Sequence, residues 1–86
     1  MTYSIYTMFG YYTRGKFVVG GFKTLAAAKE RCADLIRHSS RHAQIKLEVC
    51  NAKSKNPVGW MSNSNMGEIG IFWEDKNGTI TRYGWN

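Results

Sequence analysis

The sequence has one proline, Pro57, two cysteines, Cys32 and Cys50, and six Asp and Glu against twelve Lys and Arg. It also lacks a long apolar run. Each shortage excludes something. A membrane helix needs about 18 consecutive apolar residues, and no stretch approaches that, so no membrane partner is expected. Disulfide-stapled secreted scaffolds of this size are cysteine-dense, so Cys32 and Cys50 read as reduced thiols. The opening Met1-Thr2-Tyr3-Ser4-Ile5-Tyr6 has neither the basic nor the apolar segment of a secretory leader. That points to the cytoplasm, or to a host's cytoplasm if the chain is phage-encoded.

Catalytic patterns are missing too. Gly20-Gly21 lacks the spacing and the Lys-Ser/Thr pair of a phosphate loop, and no serine sits in a nucleophile elbow. Cys32, His38, His42 and Cys50 invite a zinc reading. Neither cysteine has a close Cys-x-x-Cys partner, however, and Cys32 falls in an apolar helical stripe. The expectation is therefore no enzyme activity, no metal and no cofactor.

What is present is a basic, aromatic-rich chain. Its 86 residues carry net charge +6, with 43% hydrophobic and 14% aromatic residues. The length suits one domain over 1–86, and the apolar content excludes a wholly disordered chain.

Tyr3–Gly10 and Lys16–Phe22 read as strands joined by a hairpin loop between Gly10 and Gly15. Gly20-Gly21 predicts a bulge or a close backbone approach. Thr24 is a helix N-cap, and Leu25 to about His38 a helix whose stripe is Leu25, Ala28, Cys32, Leu35 and Ile36. Ala43–Cys50 alternates as a half-buried strand, with Ile45, Leu47 and Val49 facing one way. Asn51–Gly67 reads as an irregular stretch or a hidden short strand. In it, Trp60, Met61 and Met66 form either a core plug or a docking surface.

Ile69–Trp73 and Thr79–Trp85 form a last hairpin through Asp75-Lys76-Asn77-Gly78. In that hairpin Ile69, Ile71 and Trp73 are expected to share a face with Ile80, opposite Phe72, Tyr83 and Trp85. The fold class is α+β: an antiparallel sheet of about five strands, in the order β-β-α-β-β-β, with one helix packed on one face.

Charge is segregated. Residues 1–29 hold four basic residues and no acid, and residues 30–56 hold six basic and three acidic. Glu30 and Asp34 lie outward on the helix and would repel a phosphate backbone, which argues against a groove-reading helix. Binding is expected instead at Tyr11, Tyr12, Arg14, Lys16, Lys23, Arg41, Lys46, Lys53 and Lys55. An aromatic face or dimer contact is expected at Phe72, Tyr83 and Trp85, which Tyr6 and Met8 can join.

The stretch Gly21-Phe22-Lys23-Thr24-Leu25-Ala26-Ala27-Ala28-Lys29 resembles the strand-to-helix junction of many small phage and mobile-element proteins. The hairpin from Ile71 to Thr79 is similar to theirs too. Some anti-CRISPR proteins share this sheet-plus-helix plan. The resemblance implies stoichiometric binding that covers a contact surface of a nucleoprotein effector, or touches its guide or target. It assigns no individual residue. Many DNA-mimicking members are acidic, and this basic chain departs from them.

Three functions follow as expectations. The first is an inhibitor of a host nucleoprotein such as a CRISPR effector. The second is a module that binds DNA or RNA directly. The third is a small homodimer joined through its last hairpin.

Overall fold

The structure is a computed structural model that describes residues 1–10, 13–39 and 43–84. The Thr24 hydroxyl accepts from the Ala27 N–H at 3.1 Å and opens helix α1, Leu25–Arg37. The helix is one residue shorter than the pattern predicts, because His38 takes the C-cap. Its buried line is Ala28, Cys32, Ala33 and Ile36, with Leu25 and Leu35 packed beside it. Small residues dominate that line, so the helix can lie close to the sheet beneath.

Six strands make the sheet: β1 Tyr3–Phe9, β2 Thr13–Phe22, β3 Lys46–Asn51, β4 Pro57–Asn65, β5 Glu68–Asp75 and β6 Ile80–Gly84. Their spatial order is β2-β1-β3-β4-β5-β6 and every neighbouring pair is antiparallel. The α+β class is as the sequence predicts, with six strands in place of about five.

The additional strand, β4, occupies most of the stretch expected to be irregular. Gly59, Trp60 and Met61 are all buried, so β4 shows no in–out alternation. A two-residue turn carries it into β5, with Met66 (φ 50°) and Gly67 (φ 84°) both left-handed, as such hairpin turns require. Trp60 and Met61 are thus sheet core, and Met66 is an exposed hairpin tip.

Cross-strand partners point to the same face. Leu47, Met61 and Trp73 line up from β3 to β5 on the helix side, and with Ile5, Val49, Ile71 and the helix stripe they form the core. The opposite face carries a row through all six strands: Phe17, Tyr6, Glu48, Trp60, Glu74 and Ile80. Ile80 therefore lies opposite Ile71 and Trp73, against expectation. Tyr83 packs against the core on the helix side and does not share a face with Phe72. The hairpin pairs Trp73 with Thr81 and Glu74 with Ile80, and a register slip then sets Ile71 opposite Gly84.

β2 spends ten residues against the seven of β1, and the register slips three times along the pair. Gly20 and Gly21 fall in this bulged run. A Cβ at Gly20 would press on the Ser4 hydroxyl and the Phe17 ring, which is the close approach the paired glycines predict.

Candidate binding surface

The sheet face away from α1 has no helix over it, yet Glu48, Trp60 and Phe72 are buried there. Charged side chains lie flat across the rings and cover them. The Arg14 guanidinium sits 5.0 Å and the Lys55 ammonium 5.9 Å from the Tyr6 ring centre, and Tyr6 meets Phe17 edge-on at 5.6 Å. Arg82 lies 4.8 Å over Phe72.

Most cations on this face are matched by an acid. Arg14 Nε bonds the Glu48 carboxylate, and its Nη2 reaches the Lys55 carbonyl. Lys46 faces Glu74 at 3.6 Å, and Arg82 pairs with Glu68. Burial draws the Arg14 pKa down, but the hydrogen bond and charge of Glu48 outweigh it and hold the pKa raised overall. Arg14 and Lys46, both expected to contact a partner, are thus already engaged within the fold. A phosphate on this face would compete with three carboxylates.

The charge balance differs at one end of the sheet. Strand parity brings the β2–α1 junction, the β3–β4 turn and the β5–β6 turn to the same end. Lys23, Lys53, Lys55 and Lys76 sit there, all exposed. The N-terminus of α1 opens at this end with no acid in its first turn, so its partial positive charge is uncompensated. Asp75 lies among them, and Glu74, paired with Lys46, borders Lys76 on the other face. The Asp75 carboxylate accepts from the Asn77 and Thr79 N–H groups and holds the turn.

The turns are built locally. Asn51 Oδ1 accepts from the Lys53 and Ser54 N–H groups at 2.9 Å, and Lys55 takes φ 65°. A cleft of about 380 Å³ opens between these turns and the helix start. On its helix side the Lys29 ammonium lies 4.5 Å over the Trp73 ring.

Of the predicted contact residues, Lys23, Lys53 and Lys55 come together, while Lys16 lies apart on the edge strand β2. Tyr11, Tyr12, Arg41 and Trp85 lie outside the described residues, as does His42. Lys76 was not among the predicted contacts. Its own sequence signal is a lysine in an Asp-Lys-Asn-Gly turn, and its place beside Lys53 follows only once β4 is counted. Phe72 is buried beneath Arg82. Tyr83 donates to Glu30 on the helix at 2.7 Å. That bond, and then Arg37, hold the Glu30 carboxyl below its usual range, while burial and then Glu30 raise the Tyr83 phenol.

Cys32 and Cys50 are free and buried, and the sheet lies between them: Cys32 packs in the helix-side core and Cys50 shares the face of Glu48. Burial pushes the Cys32 thiol up to about 12, and burial likewise raises Cys50. Among the described residues no three His, Cys, Asp or Glu side chains converge as a metal site. No helix among them is long and apolar enough to cross a membrane. No family model matches the chain, and neither the curated proteins nor the solved structures hold a match to it.

Proposed function

We propose that this chain is a small, basic, non-enzymatic binding protein that docks its lysine-rich end on the nucleic acid of a nucleoprotein. In that role it acts as a stoichiometric inhibitor. A CRISPR effector, with its guide and target strands, is the target to which the resemblance points. One observation carries the reading: Lys23, Lys53, Lys55 and Lys76 share one end of the sheet, and the acid of its β5–β6 turn, Asp75, is occupied by turn N–H groups. Coulomb attraction of such a cluster for phosphate is long-ranged at low salt and is reported directly by salt dependence.

The aromatic sheet face is the weaker alternative for direct nucleic-acid binding, because Glu48, Glu74 and Glu68 neutralise Arg14, Lys46 and Arg82 there.

The test is binding to labelled DNA and RNA over a salt series. Contacts from about three or four lysines give a log–log slope of about −2 to −4. Lys23→Glu/Lys53→Glu/Lys76→Glu should flatten that slope and lower affinity at low salt by at least about tenfold. Salt-independent binding, or a triple variant that binds as the parent does, would overturn the proposal.

A further inference from the structure

Resting on that reading, we infer that the cleft at the lysine-rich end accepts one unstacked base of a single-stranded nucleic acid, with the neighbouring phosphates on the surrounding lysines. The cleft holds about 380 Å³, inside the roughly 300–1,000 Å³ range of small-molecule sites. Its floor is apolar and comes from three elements: Leu25 at the start of α1, Val58 in β4 and Trp73 in β5. Asn56, Asp75, Lys76 and Asn77 also line it, and the Asp75 carboxylate is held by the Asn77 and Thr79 N–H groups. Lys23 and Lys53 flank it, each adjacent or nearly adjacent in sequence to a lining residue.

An apolar floor beneath a carboxamide-bearing rim, with lysines around it, matches a nucleotide in both halves. The base buries its faces and presents hydrogen-bonding edges, and its phosphates meet ammonium groups. A free phosphate ion would leave the floor unused. An apolar peptide would leave the lysines unanswered. A duplex keeps its bases stacked and paired, so it offers the cleft nothing to receive.

The experiment separates the base from its charge. A labelled thymidine 12-mer and an abasic 12-mer carry the same phosphates. Their affinities are measured by anisotropy on the full chain at low salt. The thymidine strand should bind at least about fivefold tighter, the lower bound for burying one base. Asn56→Leu/Asn77→Leu fills the mouth of the cleft from two exposed turn positions and leaves the lysines in place. It should abolish that preference while retaining the abasic strand's affinity, with unchanged thermal unfolding confirming the fold. Equal affinity for the two strands, or a preference that survives the filled mouth, would overturn the inference and leave the docking proposal standing. Absence of binding to either strand would overturn both.

Discussion

Arg14→Met should unfold the protein far more readily than a surface substitution would. The Glu48 side chain is 4% exposed and Arg14 is its cation, bonded through Nε while Nη2 holds the Lys55 carbonyl. Removing one partner of a buried pair costs about 3–5 kcal/mol, because the other charge stays behind without compensation. The Arg14 side chain is 29% exposed, so water relieves part of that cost and the low end, about 3 kcal/mol, is expected. For a domain of this size that is a melting point about 12–24 °C lower. Urea and thermal unfolding of Arg14→Met, Glu48→Gln and the double variant form a cycle. The double variant should return to within about 1 kcal/mol of the parent, since no buried charge is then stranded. A single-variant cost below about 1 kcal/mol at unchanged m-value, or no recovery in the double variant, would refute the reasoning. The double variant should also keep its affinity for a polyanion, because Arg14 points into the protein's own contacts.

Two more outcomes are expected. Asn63 donates to the Ala43 carbonyl at 2.5 Å and accepts from the Ile45 N–H at 3.0 Å; Asn63→Ala should cost about 2–3 kcal/mol in urea unfolding, and a cost under about 0.5 kcal/mol would contradict that role. The Cys32 thiol titrates near 12 in the fold against an ordinary 9.0, so on raising the pH through that window the unfolded chain ionises first and stability falls, by at most about 4 kcal/mol; unfolding of the parent and of Cys32→Ala across the window should show the parent declining more steeply, and parallel curves would sink the argument.

The parts of the fold that announce themselves do so through local physics. Thr24 before an Ala-rich helix, alternation at Ile45, Leu47 and Val49, and the Asp75–Gly78 turn each need only neighbouring residues to be read. β4 was not legible in that way. It lies in the middle of the sheet between β3 and β5, with core on one face and a blanket of charged side chains on the other. Burial on both faces erases the alternation that marks a strand. Serines and asparagines at its end look like a loop: the Ser62 hydroxyl bonds the nearby Ser64 carbonyl, while Asn63 ties β4 to the chain some twenty residues earlier. Missing one strand has a topological consequence, since parity decides the end at which each later turn emerges. Lys23 and Lys53 could be proposed from charge alone, but Lys76 joins them only when β4 is counted. Arg14 erred in the other direction. A cation beside two tyrosines on a hairpin reads as a contact residue, and nothing local reveals that Glu48, thirty-four positions later, is waiting for it.

The bulged edge has a consequence for the protein's behaviour at high concentration. An exposed outer strand is a template on which another chain can crystallise its backbone. β2 is the longest strand and would be the most inviting, but its three register slips break the even spacing of donors and acceptors that such growth requires. A straight strand arriving from another molecule would fall out of step within a few residues. The other border, β6, is only five residues long, and its pairing with β5 slips once. Irregularity on one side and brevity on the other give this sheet two poor seeds for fibrous assembly, and strand-on-strand growth between copies is limited to a single short border.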